Sequence, residues 1–240
     1  MEQSPSGAWF VRAEGADAAV ARFDSEEDAH AKALAITRGL AREAASPPEG
    51  ETVPLRDGSV VLVRQVRPDD KPLFEAGIRR LGARGRQQRF LWAHPPSLSD
   101  DELRLFTEID HRDHEAIGAI DVATGEGVGV ARYIRDAEGS PNAEAAVTIV
   151  DDWQGRGLGT VLAERLAARA EAAGITHLVA TLYATNRAMA HVFAQLGEMR
   201  ESAIEAGCVE LDITLEVGEL RQRVKDVAEA HEAARQATQH

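Results

Sequence analysis

Between residues 53 and 217, apolar positions recur with two different periods, which predicts both strands and helices. Residues 60–66, VVLVRQV, form a strand-like apolar run that Pro68 ends, and a helix toward Leu81 follows. Residues 114–136 predict two strands around a turn at ATGEG. Strands and helices therefore both contribute to this part of the chain.

The same region contains a further short helix and three further strands. Ser99 and Glu102 have the spacing of a capping box, in which each side chain bonds the other residue's backbone N–H. Residues 144–151 are almost uninterruptedly apolar, which predicts a strand buried on both faces. Residues 176–183 and 208–217 predict the other two strands.

Two longer helices lie between these strands. One follows a glycine cluster, and Gly174 is its expected C-terminal stop. Its apolar face is expected to consist of Leu158, Val161, Leu162 and Leu166. The other helix covers residues 186–197 and ends at a glycine. The resulting order, β-α-α-β-β-β-α-β-α-β, predicts a mixed sheet packed against helices, an α/β or α+β architecture.

The flanking segments predict smaller elements. Residues 8–23 predict two short strands around a turn at EGAD, and Ser25 can cap a following helix. This β-β-α unit is expected to be a docking appendage, with a regulatory or partner-binding module as the alternative. Residues 219–240 predict a terminal helix. This helix is expected to be solvated or packed against the domain, with a dimer-forming helix as the alternative. The predicted organisation is a β-β-α module (1–45), a linker (46–52), the main domain (53–217) and a C-terminal helix (218–240).

Composition and charge narrow the functional classes. The 240 residues are 44% hydrophobic and 28% charged, so the chain can bury a core. Lys and Arg number 27 against 40 Asp and Glu, and the net charge of -13 disfavours nucleic-acid binding through a basic face while favouring a cationic partner. Cys208 is the single cysteine, which excludes an intrachain disulfide and fits a reducing compartment. Without a secretory signal pattern, or an apolar run near the ~20 residues of a membrane span, the expected location is the cytoplasm.

Residues 151–160, DDWQGRGLGT, contain a glycine cluster of the kind that binds phosphate groups. A dinucleotide fingerprint has the spacing G-x-G-x-x-G after the first strand, whereas Gly155, Gly157 and Gly159 alternate and follow the fourth predicted strand. A P-loop needs Gly-Lys followed by Ser or Thr, which is absent. What remains is a tight turn opening a helix whose free N–H groups and dipole favour an anion, with Arg156 as an added cation. The loop is therefore predicted to bind a pyrophosphate.

The segment Gln-Gly-Arg-Gly-Leu-Gly, between a strand and an amphipathic helix, resembles the acetyl-CoA loop of the GNAT acetyltransferases, Q/R-x-x-G-x-G/A. Asn186 and the helix ending at Leu196-Gly197 resemble that family's second motif, N-x-x-A-x-x-x-Y-x-x-x-G. The resemblance covers residues 53–217. It implies a mixed, mostly antiparallel sheet flanked by helices, acetyl-CoA as co-substrate, acetyl transfer to an amine, and no metal.

Several segments are more specifically similar to the catalytic domain of actinobacterial Pat-type protein lysine acetyltransferases. They are RDGSVVLVRQVRPDD, Arg89-Phe90, LSDDEL and AEAAVTIVDDWQGRGLG. In those enzymes a cyclic-nucleotide-binding domain often precedes the catalytic domain. Because only the short β-β-α unit precedes the main domain here, control by a cyclic nucleotide is not expected.

The resemblance also implies roles for individual residues. Glu144 would be the general base, and partial burial would raise its pKa, although a solvated glutamate at a strand end is the alternative. Backbone groups at Val147 and Ile149 would bind pantetheine, and an N–H there would stabilise the thioester oxygen. Asn186 would contact the arm of the cofactor, or it would only cap its helix. The pyrophosphate would be held by Gln154, Gly155, Arg156, Gly157, Leu158, Gly159 and Thr160.

One position departs from the family pattern. Phe193 stands where the family often has a tyrosine that protonates the departing thiolate, and a phenyl ring has no proton to give. Water or Tyr183 would then supply the proton, so no general acid is assigned.

The segment DHRDH, residues 110–114, is a weaker candidate for chemistry. His111 and His114 are three residues apart at a strand start, where such positions point to opposite faces, and no further His or Cys cluster completes a metal site. Polar residues on the substrate side are the preferred interpretation.

These observations predict an acetyl-CoA-dependent N-acetyltransferase that acts on protein lysines. Two alternatives stay open: the same chemistry on a small amine such as a polyamine or an antibiotic, and a GNAT-type module that binds acyl-CoA without turnover. The sequence does not specify the acceptor, the acyl chain or the oligomeric state.

Overall fold

The computed structural model describes residues 2–3, 9–11, 21–23, 50–83, 85, 98–203 and 207–216. The chain divides into two units, residues 1–49 and residues 50–240, and each is described by itself. The described part of the first unit is an antiparallel sheet of strands β1 (Glu2–Gln3), β2 (Trp9–Val11) and β3 (Ala21–Phe23). Strands β2 and β3 agree with the two strands expected there, while the helix expected from Ser25 lies outside the described residues.

The second unit is built on one eight-stranded sheet with the order β10-β11-β9-β8-β7-β6-β5-β4. Its strands are β4 (Glu51–Pro54), β5 (Val60–Gln65), β6 (His114–Asp121), β7 (Gly127–Arg135), β8 (Asn142–Ile149), β9 (His177–Tyr183), β10 (Gly197–Ala203) and β11 (Cys208–Leu215). Every neighbouring pair is antiparallel except β8 with β9, which is parallel. The expected mixed and mostly antiparallel sheet is thus confirmed.

The α-helices that accompany this sheet include α1 (Lys71–Arg80), α2 (Asp100–Thr107), α3 (Leu158–Ala172) and α4 (Arg187–Phe193), and short 3₁₀ helices cover Pro68–Asp70 and Asp151–Trp153. The capping box before α2 is confirmed, because Ser99 N–H donates to Glu102 Oε2 at 2.8 Å and Glu102 N–H donates to Ser99 Oγ at 3.3 Å. Helix α3 ends just before Gly174, whose φ of +80° suits a C-terminal stop. No described helix has the length and apolar character needed to cross a lipid bilayer.

Helix α3 covers one face of the sheet and forms the core with it. Leu158, Leu162 and Leu166 are each 1% exposed or less and pack with apolar residues of the central strands. The face expected from the sequence is therefore correct, with Val161 partly buried against the same cluster. An ion pair fastens the edge strand β4 to this helix, since Arg165 donates from both Nε and Nη2 to the Glu51 carboxylate, at 3.0 and 2.7 Å.

Strands β4 and β10 are absent from the sequence expectations. β4 begins at Glu51, inside the range 46–52 expected as a linker, because a Pro- and Gly-rich composition does not reveal that the next residues pair with β5. β10 starts at Gly197, so the helix expected over 186–197 is shorter and ends at Phe193. With β4 included, the strand before the glycine loop is the fifth of this unit rather than the fourth.

The burial expected for residues 144–151 is also wrong in part. Ala143, Ala145 and Ile149 face the core, whereas Glu144 is exposed and Ala146 is only partly buried. The strand is central in the sheet, but its second face is open at this end. The helix expected over residues 218–240 lies outside the described residues.

Candidate active site

The central feature of the second unit is a gap between the two parallel strands. Strand β8 runs to Ile149 and β9 runs to Tyr183, yet their pairing covers only three positions and ends at Glu144 opposite Val179. Beyond that position the strands diverge, so the edge of β8 that faces β9 has no ladder partner among the described strands. Backbone donors and acceptors on this edge are available to a ligand.

A cavity of about 300 Å³ fills this gap, and we call it the β8–β9 cleft. Its walls come from β8, the glycine loop, the end of β9 and helix α4. The lining residues are Arg56, Gly85, Val147, Thr148, Ile149, Trp153, Gln154, Gly155, Gly157, Gly159, Thr160, Leu182, Asn186, Ala188, Met189, His191, Val192 and Gln195. Eight residues expected to bind the cofactor therefore lie in one cavity: Val147, Ile149, Gln154, Gly155, Gly157, Gly159, Thr160 and Asn186.

The glycine loop forms the end of the cleft at the start of α3. Gly155 and Gly157 have φ values of +77° and +91°, a left-handed conformation that glycine adopts without strain. Gly157 is the N-cap of α3 and brings no capping side chain, so the first N–H groups of the helix remain open toward the cleft. An open helix N-terminus with a positive dipole end suits a phosphate group, as the sequence predicts.

The Arg156 guanidinium is engaged by contacts outside the cleft. Its guanidinium donates to the Asp152 carbonyl at 2.6 Å, pairs with Asp57 at 2.9 Å and lies 4.5 Å from the ring centre of Trp153. Its side chain is not part of the cleft lining. These contacts stabilise the loop from outside, which differs from the expectation that Arg156 faces the anion.

A second arginine, which the sequence interpretation missed, occupies the position facing the cleft. Arg56 lies in the turn between β4 and β5, and its backbone N–H donates to the backbone carbonyl of Arg156 at 3.3 Å. Its Nε lies 3.2 Å from the point that a Cβ on Gly157 would occupy. The available signal was the turn Arg-Asp-Gly-Ser, but nothing local in the sequence indicates that this turn meets a loop far along the chain.

The remaining predicted binding residues divide into two groups. Gln154 donates from Nε2 to the Ile149 carbonyl at 3.2 Å, and the Asn186 side chain accepts from Met189 N–H at 3.4 Å while also lining the cleft. Asn186 thus caps α4 and borders the cleft, so the two roles considered for it are compatible. Leu158, by contrast, is 1% exposed and packs in the core, so only its backbone can serve a ligand.

Glu144 lies at the point where the two strands separate. It is exposed, so the partial burial expected from the sequence is not found. By register, Glu144 is opposite Val179, and Val179 is in turn opposite Asp212 of β11. Directly opposed residues share a face of a sheet, so Glu144 and Asp212 lie on the same exposed face.

Position 193, where the family often has a tyrosine, lies in the core. Phe193 is 1% exposed and belongs to the core, so this position does not face the reaction. Tyr183 lies at the end of β9, opposite Cys208 of β11, and is partly buried.

The DHRDH segment serves structural contacts. Asp110 accepts from the backbone N–H groups of residues 112–114, at 2.8 to 2.9 Å, which holds its pKa below the usual range. His111 Nδ1 lies 2.8 Å from the buried Glu115 carboxylate, and Asp113 pairs with Arg135 at 2.8 Å. Among the described residues, no group of three His, Cys, Asp or Glu side chains is arranged to hold a metal ion.

A smaller, mainly apolar cavity of about 80 Å³ lies between α1 and the sheet. Thr148 lines both this cavity and the β8–β9 cleft, so the two adjoin at β8. The buried Asp70 carboxylate, which accepts from both Arg64 Nη atoms at 2.6 and 2.7 Å, forms part of its wall.

Comparison with protein families identifies the class to which this fold and cleft correspond. The family model described as an acetyltransferase (GNAT) domain matches residues 61–198, more than half of the chain. The chain therefore belongs to the GNAT acetyltransferases, and the resemblance stated from its sequence is confirmed.

Individual relatives agree with this assignment. An acetyltransferase of Pseudomonas aeruginosa is 35% identical over 145 residues, which cover 60% of this chain and 77% of that protein. The acetyltransferase Pat of Mycolicibacterium smegmatis is 29% identical over 145 residues, covering 60% of this chain but only 43% of that protein. The crystal structure of the GNAT domain of S. lividans PAT has a TM-score of 0.63 at 29% identity, covering 71% of this chain and 99% of that structure.

Proposed function

We propose that this protein transfers an acetyl group from acetyl-CoA to lysine side chains of proteins, with Glu144 as the general base. The observation that carries the proposal is the exposed carboxylate of Glu144 at the residue where β8 and β9 separate. The cleft supports acetyl-CoA as the co-substrate, since an open helix N-terminus, a facing arginine and an unpaired strand edge border one cavity. Bound acetyl-CoA supplies the reactive acetyl thioester.

The acceptor side requires a base. A free lysine has a pKa near ~10.4, so roughly one amine in a few thousand is neutral at pH 7. A carboxylate within hydrogen-bond reach, directly or through one water, takes the proton as the amine attacks. Glu144 is suited to this role because solvent can carry the proton away from an exposed side chain. A backbone N–H on the β9-facing edge of β8, near Val147, would donate to the thioester oxygen.

The surroundings of Glu144 favour a lysine on a protein over a small amine. A small substrate is usually enclosed by its pocket, but Glu144 lies on an open sheet face that a larger partner can approach. Glu210 and Asp212 are also exposed on this face and attract a cation. The similarity to two Pat proteins supports the same choice.

The test is an acetyl transfer assay with acetyl-CoA and a panel of acceptors. Release of free CoA thiol is measured with lysine-containing proteins, with their peptides and with small amines including spermidine. Mass spectrometry then locates the acetyl group. We expect thiol release and lysine acetylation with protein acceptors, at rates well above those with small amines.

The alternatives give different results in the same assay. Thiol release with small amines alone would contradict the lysine assignment and favour a small-molecule acetyltransferase. Binding of acetyl-CoA without any turnover would indicate a non-catalytic acyl-CoA-binding module.

A further inference from the structure

Two arginines border the glycine loop, and their surroundings differ. Arg156 belongs to the loop itself, but Asp57, the Asp152 carbonyl and the Trp153 ring occupy its guanidinium. Arg56 comes from the β4–β5 turn, is exposed, lines the cleft and forms no ion pair with any described residue. Among the described residues that line the cleft, the arginine left for a ligand is therefore contributed by the turn and not by the motif.

The turn is built so that Arg56 is held in place. Asp57 accepts from Ser59 N–H at 3.1 Å and from Ser59 Oγ at 2.6 Å, and these bonds, with Arg156 nearby, lower its pKa. Gly58 has a φ of +85°, and Leu55 N–H donates to the Ser59 carbonyl at 2.7 Å. A rigid turn loses less conformational entropy when its side chain binds a ligand.

Arg56 also meets the loop at the position where an anion is expected. Gly157 is the N-cap of α3, and the Arg56 Nε lies 3.2 Å from the point that a Cβ on Gly157 would occupy. The guanidinium and the open N–H groups of the first helical turn thus converge on the same end of the cleft. A guanidinium can donate two parallel bonds to a phosphate, and a helix N-terminus adds further donors.

We propose that Arg56 binds the pyrophosphate of CoA, while Arg156 holds the glycine loop in shape through Asp57. This inference rests on the proposed function, because it assumes that CoA occupies the β8–β9 cleft. The contact is the same in the ground state and in the transition state, since the pyrophosphate takes no part in acetyl transfer. Loss of Arg56 is therefore expected to raise KM for acetyl-CoA and to leave kcat close to the wild-type value.

The experiment measures affinity by calorimetry for CoA and for 3′-dephospho-CoA, which keeps the pyrophosphate but lacks the 3′-phosphate. The proteins are the wild type, Arg56→Gln, Arg56→Lys, Arg156→Gln and the control Arg104→Gln. Arg104 is an exposed arginine of α2 that does not line the cleft, so its replacement makes the same change in net charge. Circular dichroism and Tm verify that each variant is folded.

We expect Arg56→Gln to lower the affinity for both ligands by about 10- to 100-fold, which corresponds to the loss of a charge-assisted hydrogen bond. Arg56→Lys should recover part of this loss, because it keeps the charge without the planar fork. Arg156→Gln should lower Tm. It should also lower the affinity for both ligands, but by less than Arg56→Gln does. Arg104→Gln should bind both ligands as the wild type does.

Four outcomes would overturn the inference. Unchanged affinity in Arg56→Gln, or a larger loss in Arg156→Gln, would return the anion-binding role to the motif arginine. A loss for CoA alone, with 3′-dephospho-CoA unaffected, would assign Arg56 to the 3′-phosphate instead. A wild-type protein that binds neither ligand would overturn the proposed function together with this inference, whereas the other results leave that function intact.

Discussion

At the scale of single residues, Glu144 places a carboxylate at the point where β8 and β9 separate. It is the last residue of β8 that pairs with β9, and its side chain is exposed on the open face. The cofactor cleft begins with the residues that follow it on the same strand. A single strand thereby places a carboxylate close to the backbone edge that we propose binds the thioester arm.

Replacement of this carboxylate separates catalysis from binding. We expect Glu144→Gln to lower kcat by roughly 10²–10³-fold, since an amide cannot accept the proton of the acceptor amine. Affinity for CoA should stay at the wild-type value, and steady-state kinetics with calorimetry test both. Glu198→Gln, at an exposed position of β10, is the matched control with no expected change. A wild-type kcat in Glu144→Gln would remove Glu144 from the mechanism.

Gly157 is the residue at which the loop is most sensitive to a side chain. In Gly157→Glu, a Cβ is forced into left-handed backbone and close to Arg56, and the added carboxylate repels the pyrophosphate. We expect CoA binding to be lost. Gly174→Glu is the control: it has a similar φ of +80°, but nothing lies within 4 Å of its Cβ. If both variants retain CoA affinity in calorimetry, the glycine loop does not bind the pyrophosphate.

At the scale of elements, the turn that contains Arg56 depends on the edge strand that precedes it. Strand β4 positions the turn that contains Arg56, and its own attachment includes the ion pair between Glu51 and Arg165 of α3. The Arg165 side chain is only 8% exposed, and Glu51 at 2.7 Å is its nearer charged partner, with Glu164 at 3.7 Å. An edge strand of four residues is thus fixed to the central helix through an ion pair, in addition to its backbone pairing with β5.

Removal of the Glu51 charge tests this attachment. We expect Glu51→Gln to lower the free energy of unfolding by about 1–3 kcal/mol, because a mostly buried guanidinium loses its nearer and bidentate charged partner. Urea denaturation measures the change. Glu201→Gln breaks an exposed pair with Arg187 and should cost less than about 1 kcal/mol. Equal losses in the two variants would contradict a structural role for the Glu51–Arg165 pair.

At the scale of the whole molecule, ionisable groups couple its stability to pH. Burial, together with the nearby Arg132 charge, lowers the pKa of His114 to about 4 from its usual 6.5. The folded protein therefore keeps His114 neutral, while the unfolded chain binds a proton at a higher pH. This contribution to stability is complete above the unfolded pKa and is lost as pH falls from 6.5 toward 4. Carboxylates with lowered pKa, among them Asp110 and Glu102, extend the loss to lower pH.

We accordingly expect the protein to become less stable on acidification in two stages. In urea titrations from about pH 7 to about pH 3, His114→Gln should flatten the first stage and leave the more acidic one in place. His191→Gln, at an exposed histidine, should retain both stages. A wild-type pH dependence in His114→Gln would exclude His114 as the source of the first stage.

Much of the second unit could be predicted from its sequence. The capping box at Ser99, the stop at Gly174 and the glycine loop depend on residues a few positions apart. Strands β8 and β9 and the buried face of α3 follow from periodicity alone. Strand β10 was missed because it begins directly at the glycine expected to end a helix, and none of its residues is fully buried.

What the sequence by itself determined is thus the order of most elements and the identity of the loop, since both are properties of neighbouring residues. Only the tertiary structure decided where β8 and β9 separate, that Glu144 is exposed, and that Arg56 rather than Arg156 faces the cleft. These features depend on register and on contacts between segments that are far apart along the chain. Local propensity does not determine such contacts, because they form only when the sheet and α3 pack around a common core.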